Sequence, residues 1–180
     1  MIDTATWEVE RYLSDAGTIL RGLAVEASSG ALLVANFEAR NLVAFEPALR
    51  GHIADHRLSR FEAGGAEPTV FELNPGIDHG LLPNPGALAT ALAEPAALAF
   101  DGPMLWVAAF ASDRVALVDP DNGTVHSRID LRSPGEDSRR MRGPRGLALD
   151  SGNDTLFVLN KLSNTVTAIA TGSRTVVAEF

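Results

Sequence analysis

The sequence predicts an all-β fold made of repeated four-stranded antiparallel units, and three observations lead there. Apolar and β-branched runs of five or six residues alternate with clusters of Gly, Asn, Asp and Ser, the pattern left by short strands and tight turns. A paired apolar signature recurs. Leu147-Ala148-Leu149 matches Leu98-Ala99-Phe100 and Leu23-Ala24-Val25, while Leu156-Phe157-Val158 matches Leu105-Trp106-Val107 and Leu32-Leu33-Val34. The punctuation recurs too: Val166, Val115 and Leu42 open a third strand in each copy. Asn164 falls on Asp113, and Thr171 on Pro120 and Pro47. Self-similarity of this kind marks a repeat architecture in which each unit is one supersecondary element.

The clearest copy occupies residues 143–180. Strands are expected at 146–150, 155–160, 165–170 and 175–180, with polar turns at 151–154 and 171–174 and a short loop at 161–164. Within it, PRGLALDSGNDTLFVLNKLSNTVTAIAT resembles the YVTN-type β-propeller repeat, with Phe-Val-Leu-Asn at 157–160 and Ser-Asn-Thr-Val at 163–166. Ala170 stands where that repeat has Asp, a residue that Asp119 and Asp3 supply in other copies. The resemblance covers most of the chain except residues 64–93. It implies a partial β-propeller: three four-stranded antiparallel blades plus one N-terminal outer strand of a preceding blade. The fold follows from the resemblance; an activity does not, because propellers host many unrelated functions.

In chain order, Ile2 aligns with Ile169 and, at the same offset, Val9 with Val176 and Leu13 with Phe180. Residues 1–13 are therefore expected to hold an outer strand of a preceding blade, at 8–13, so that the polypeptide starts inside a blade. Residues 18–63 form the first blade, its third strand opening at Leu42, its next turn at 47–51 and its outer strand at 56–61. His52 and His56 have the spacing of two metal ligands on one helix face. The general-base Glu of a zinc-protease motif is missing, however, and a turn-plus-strand context makes them solvated outer-strand histidines. Residues 64–93 read as an insertion loop, since Pro68, Pro75, Pro83 and Pro85 with five glycines forbid one long regular element. Inside it, 70–73 suits a short strand and 86–93 a helical turn or two. Asp78-His79 is its only pair with acid/base potential, and it reads as a turn residue and its neighbour.

Residues 94–131 are the second blade, with Asp101-Gly102-Pro103 and Asp119-Pro120-Asp121-Asn122-Gly123 as turns. The second turn invites a calcium reading, but it lacks the ligand ladder of an EF-hand and reads as a type I turn with a Gly bulge. Asn122-Gly123-Thr124 and Asn153-Asp154-Thr155 match the glycosylation sequon in tight turns, a weak signal. Residues 132–145 then lead to the third blade, 144–180. They carry Arg132, Arg139, Arg140, Arg142 and Arg145 against only Glu136 and Asp137. Propeller geometry, carried over from the resemblance, gathers this loop, the insertion and Lys161 on one face. Arg forks there suit carboxylate or phosphate pairing, so Arg132, Arg139, Arg140, Arg142, Arg145, Asp78, His79 and Lys161 are the expected partner-binding residues.

Composition bounds the rest. The 180 residues form one domain's worth of chain, and a net charge of −8 argues against general nucleic-acid affinity. With no cysteine there is no disulfide framework, thiolate metal site or covalent haem attachment, and no cofactor or metal is assigned. No 18-residue apolar run suggests a membrane span, and residues 1–10 lack the regions of a signal peptide. Three blades fall short of the four to eight that close a ring. Several hundred Å2 of apolar blade face left wet amounts to about 10 kcal/mol of lost burial. An arc that belongs to a longer protein, or that completes itself by association, is therefore expected, with the remaining blades and a partner protein or neighbouring domain as partners.

Two functions are weighed. The first is a non-catalytic propeller module serving as scaffold or docking domain. The resemblance implies that it is a fragment of an exported bacterial protein, periplasmic or extracellular, linked to a cytochrome c or di-haem peroxidase-like domain. The second is a fragment of a propeller lactonase or hydrolase with a metal on the channel axis. Against it, no acidic or His set recurs at the mouth of each blade, and no catalytic residue is assigned; Asn36 and Asn160 recur at second-strand ends in a structural place.

Overall fold

A computed structural model describes every residue of the chain except 42, 45–48, 50 and 138. Among the described residues the strands are β1 (Ile19–Val25), β2 (Leu32–Ala39), β3 (Ala54–Phe61), β4 (Thr69–Glu72), β5 (Pro95–Asp101), β6 (Met104–Ala109), β7 (Arg114–Val118), β8 (Val125–Asp130), β9 (Pro144–Asp150), β10 (Thr155–Asn160), β11 (Thr165–Ala170) and β12 (Thr175–Glu179), with one short α-helix, α1 (Pro85–Thr90), and a 3-10 turn at Phe110–Ser112. They form three four-stranded sheets, β1-β2-β3-β4, β5-β6-β7-β8 and β9-β10-β11-β12, each an antiparallel meander. No helix among the described residues is long and apolar enough to cross a membrane.

The sheets repeat down to their irregularities. In each, the first strand skips one residue against the second: Arg21, Ala96 and Arg145 have no partner in the register. The first strands also approach one another closely. A Cβ added at Gly22 would lie 2.6 Å from the Ala96 carbonyl oxygen, so only glycine fits there. The matched Asp113 and Asn164 both take left-handed backbone, φ 53° and 56°, which Asp and Asn tolerate better than other residues with a side chain. In the Asp119–Gly123 turn, the Gly123 N–H donates to the Asp119 carbonyl at 2.9 Å with φ 74°, and the register slips between Leu117 and Val118, as a turn with a Gly bulge requires.

Period-2 alternation gives each sheet two apolar faces, and stacking buries one against the next. Leu33, Ala35 and Leu58 of the first sheet pack on Leu105, Val107 and Ala116 of the second. Trp106, Val115, Leu117 and Ile129 on the second sheet's other face pack on Leu156, Val158 and Ile169 of the third. The repeated position Leu33, Trp106, Phe157 shows the consequence: the first two are 0% exposed and the last, with no sheet beyond it, 36%.

The first sheet departs from expectation. Its third strand is β3, the segment read as outermost, and its outer strand is β4, inside the stretch read as insertion. The expected opening at Leu42 and turn at Pro47 lie outside the described residues. The reason is chemical: β3 begins Ala-Asp-His-Arg, so only Leu58 and Phe61 supply the apolar signal by which a third strand is recognised. The excursions are instead 40–53, between β2 and β3, and 73–94, between β4 and β5. The second is clipped at its neck. The Asn74 side chain bonds the Leu92 N–H (2.8 Å) and carbonyl (2.9 Å), while Leu73 and Leu92 sit in the core.

The N-terminal strand expected at 8–13 is likewise absent; in its place Ile2 and Val9 form an isolated antiparallel bridge. It is a miniature of the matched pair Ile169 and Val176, which face each other across β11 and β12. In both, the N–H at the end of the turn donates to a carbonyl four residues back at 2.8 Å (Trp7 to Asp3, Arg174 to Ala170), and the donor residue is left-handed, φ 60° and 57°.

The repeat positions carry a test by chemical denaturation. Trp106→Ala empties a buried site and is expected to cost about 3–5 kcal/mol, whereas Phe157→Ala at the matched, half-open site costs less than about 2 kcal/mol. Equal losses would contradict the stacking order.

Candidate functional site

In an antiparallel meander the second–third turn and the exit of the fourth strand fall at the same end. That end of the three sheets collects 73–94, 110–113, 161–164 and the described residues of 40–53 and 131–143, the segments in which the sequence places all its ionisable candidates but Arg145.

The 131–143 loop is held by its own charges. Asp113, buried and left-handed at the start of β7, accepts the N–H groups of Arg142 and Gly143 on one carboxylate oxygen, both at 2.9 Å. Arg142 is buried as well. Its guanidinium forks onto Glu136 (2.8 and 2.9 Å) and reaches Glu179 at 3.1 Å. The hydrogen bond from Arg142, with that from the Ser133 N–H, holds the Glu136 carboxyl below its ordinary pKa. Arg132 forks onto Asp130, at 3.1 and 3.0 Å. Burial opposes ionisation of Asp130, yet the Arg132 fork and N–H keep its pKa low. Two of the five candidate arginines are thus engaged within the fold. Among the described residues Arg139, Arg140, Arg145 and Lys161 make no ion pair. Arg139 and Arg140 are exposed beside Met141. Lys161 and Leu162, also exposed, are drawn alongside by N–H bonds to the Gly143 and Arg142 carbonyls, each 2.9 Å. Arg145 is the unpaired, half-buried residue at the start of β9, the counterpart of Arg21.

The other ionisable group lies on the first sheet, around a cavity of about 330 Å3. His52, from the β2–β3 loop, and His79, from 73–94, stack with ring centroids 3.5 Å apart and planes 3° from parallel. The His52 Nε2 is 2.6 Å from Asp55 Oδ1, and Arg40 reaches the other Asp55 oxygen at 3.0 Å. Although burial works against it, these two partners hold Asp55 below the ordinary carboxylate range. His56 is neither outermost nor solvated: it lies in β3, half-buried, tilted against Phe37, and its Nδ1 accepts the Glu94 N–H at 3.2 Å. Burial lowers its pKa, outweighing the carboxylates of Glu94 and Asp55. Burial, then the neighbouring His52 ring, lowers that of His79, and burial raises that of Glu72. Asp78 closes its own turn by accepting the Gly80 N–H at 2.9 Å. His52 and His79, 27 residues apart, meet only because two excursions leave the same end of one sheet, so nothing local in the sequence signals the pairing. Among the described residues no three His, Asp or Glu side chains are grouped to hold a metal. The cavity can seat a small group against His56 and His79, whose lowered pKa favours the neutral imidazole.

Neutral, part-buried histidines make stability pH-dependent. The folded pKa of His56 lies below the ordinary 6.5, so the unfolded chain binds the extra proton. Stability is then full above that value and declines as pH falls below it. Urea midpoints between pH 8 and pH 5 should fall in the wild type, and His56→Gln should flatten that slope; an unchanged slope would contradict the buried, accepting imidazole. The Asp113 clamp carries a second expectation. Asp113→Ala strands two buried N–H groups at a left-handed position and should cost about 2–4 kcal/mol. Asp113→Asn, which keeps an acceptor there, should cost less than half as much in the same denaturation assay.

Comparison with protein-family models finds no match, and comparison with curated proteins finds none. Solved structures do match. Hydrazine synthase of Kuenenia stuttgartiensis superposes with TM-score 0.67 at 19% identity, over 93% of this chain and 50% of that one. Streptogramin B lyase gives TM-score 0.54 at 15% identity, over 89% and 40%. A chain of the nidogen/laminin complex gives 0.56 at 14%, over 92% and 48%. The chain thus spans half or less of the proteins it resembles. Identities this low speak for the fold alone, and the neighbours are β-propeller proteins. The chain is all-β, a partial β-propeller of three four-stranded antiparallel blades.

Proposed function

We propose that this chain is a non-catalytic docking module, an arc of YVTN-type propeller repeats whose loop-bearing end receives a partner protein or neighbouring domain presenting carboxylates. The observation that carries the reading is the surface made by 139–143 and 161–162. Two backbone hydrogen bonds join 161–162 to 142–143, which brings exposed Lys161 and Leu162 to the segment that carries exposed Arg139, Arg140 and Met141, while the neighbouring Arg132 and Arg142 are spent on holding the loop. Unpaired cations around apolar side chains are the composition of a contact rim with an anchor. A rigid scaffold presenting such a surface on loops is also the usual arrangement of a binding site. The stretch 142–169, which resembles repeats that precede haem domains, makes a cytochrome c or di-haem peroxidase-like domain the partner of choice, in an exported bacterial protein acting in the periplasm or outside the cell. That the nidogen/laminin neighbour is, by its name, part of a protein complex agrees with such use of the fold.

The second reading, an enzyme of the propeller lactonase or hydrolase kind, draws on the first-sheet cavity, where the neutral imidazoles of His56 and His79 could move protons. One experiment separates the two. Binding of a purified c-type cytochrome is measured by surface plasmon resonance for the wild type and for Arg139→Ala/Arg140→Ala. Docking predicts saturable binding that falls at least about tenfold in the variant. Stoichiometric calcium or zinc in the purified chain by elemental analysis, with no cytochrome binding, would overturn docking in favour of the enzyme.

A further inference from the structure

Matched positions on two of the outer strands differ in how their charge is met. Val107 pairs with Ala116 and Ala116 with Arg128; in the third sheet Val158 pairs with Thr167 and Thr167 with Glu179. Arg128 and Glu179 are therefore counterparts. Ala116 and Val158 pack against the preceding sheet, so Arg128 and Glu179 stand on faces turned the same way, near the excursion that leads into their own sheet. In the third sheet this slot is filled from within: Glu179 takes the guanidinium of Arg142, from 131–143, at 3.1 Å. In the second sheet the polarity is reversed and the excursion brings no carboxylate forward. Residues 73–94 carry two acids, Asp78 and Glu94. Glu94 pairs with Arg21 at 3.2 Å, and Asp78 accepts the Gly80 N–H at 2.9 Å. Asp130, two residues along the same face of β8, is shared by Arg114 (3.2 Å) and Arg132 (3.0 Å). Among the described residues Arg128 makes no ion pair, and its hydrogen bond to the Leu73 carbonyl is long, 3.5 Å.

What Arg128 faces instead is a cleft of about 570 Å3 between β8 and 73–94, a size usual for small-molecule sites. The other polar side chains on its wall are already engaged. Asn74 bonds the Leu92 N–H and carbonyl, Asn84 accepts the Ala87 N–H and donates to the Asp78 carbonyl, and Thr90 donates to the Gly86 carbonyl. Apolar Ile77, Leu81 and Ala87 line much of the rest, and Gly76 leaves open space where a side chain would stand. We propose that this cleft binds a small monocarboxylate with an apolar body, the carboxylate forked on Arg128 and the body lying along Ile77, Leu81 and Ala87. The wall dictates that chemistry. A guanidinium with open donors matches the two oxygens of a carboxylate, and the counterpart slot in the third sheet already holds an Arg–carboxylate pair. Since no other side chain of the wall is left to donate, one anionic head meets all the polar recognition on offer and the remainder is apolar contact. Asp78 on the same wall and a net charge of −8 disfavour a dianion such as phosphate. Burial, then the charge of Arg114, lowers the pKa of Arg128, and an arriving anion offsets the repulsion between the two guanidinium groups. The site uses none of the residues of the docking surface at 139–143 and 161–162, and either can fail without the other.

Isothermal titration calorimetry on the full chain tests it, with sodium octanoate as the probe and circular dichroism confirming that each variant is folded. Arg128 is exposed, so its replacement is compatible with folding. Octanoate is expected to bind one to one with a Kd below about 1 mM. Arg128→Gln should weaken it at least about tenfold, and Arg128→Lys, which keeps the charge but not the fork, should fall between. Butyrate, four methylenes shorter, should bind at least about tenfold more weakly than octanoate. Octylamine, with the same tail and the opposite charge, should not compete. Octanoate binding that is absent, or equal in wild type and Arg128→Gln, overturns the proposal. So does octylamine competition, which is the mark of a merely greasy surface, and so does inorganic phosphate or butyrate binding as well as octanoate, which would show an anion site with no apolar body.

Discussion

Everything in this molecule hangs on the stacking of one sheet on the next through a single large side chain at the middle of each second strand. A four-stranded sheet has two apolar faces and cannot cover both by itself. Leu33 and Trp106 reach zero exposure only because the following sheet brings Leu105 with Val107, or Leu156 with Val158, against them. Close approach of the first strands is what lets this happen: Gly22 gives up its side chain so that the Ala96 carbonyl can come near. The core is therefore two slabs between three sheets rather than one globule, and burial is lost at each end of the series.

Charge is distributed to suit that construction. The sheet interiors take the apolar residues, and the ionisable ones gather at strand ends, where they hold loops to sheets. Arg142 ties 131–143 to β12 through Glu179, and Arg114 ties α1 to the second sheet by donating to the Ala91 carbonyl (3.1 Å) while pairing with Asp130. At the opposite end of the first sheet, buried Arg60 joins β3 to Glu26 beyond β1 at 3.0 Å. Such partly buried forks have well-defined geometry and fix loop positions more than they add net stability. Cations left over from this work, Arg139, Arg140 and Lys161, lie on loops that these bonds anchor at Arg142 and Gly143. That is what a docking surface needs if binding is not to be weakened by the ordering of loops.

Much of this was legible in the residues. β10 and β11 begin and end where the polar punctuation says, because Thr155–Asn160 and Thr165–Ala170 are dense in β-branched and apolar side chains between turn formers. The match of Asn164 with Asp113 turned out to be conformational, both being left-handed. The first sheet was harder to see because β3 spends Asp55, His56 and Arg57 on the loop end and so loses the alternation that identifies a strand. The histidine stack was invisible for a different reason. It depends on which ends of which strands the excursions leave, and that is a property of topology, not of spacing. The arginines were half legible: their clustering is plain in the sequence, but which of them face carboxylates of the fold is decided by Asp113, Asp130, Glu136 and Glu179, three of which lie outside the cluster.

The N-terminal bridge separates what is local in this architecture from what is not. Ile2 and Val9 reproduce the pairing of Ile169 and Val176, including the left-handed residue that ends the turn. They do so without the two inner strands beside which the matched hairpin sits, so the turn is specified by its own few residues. Ile2, Trp7 and Val9 are all exposed, whereas Ile169 is fully buried. Hairpin geometry is thus written into each short segment, while the stability of a strand pair is borrowed from the sheet behind it. A repeat of this type specifies its units one by one and its core only between them, which is why Leu98 and Trp106 pack between sheets while their counterparts Leu23 and Phe157 stay open.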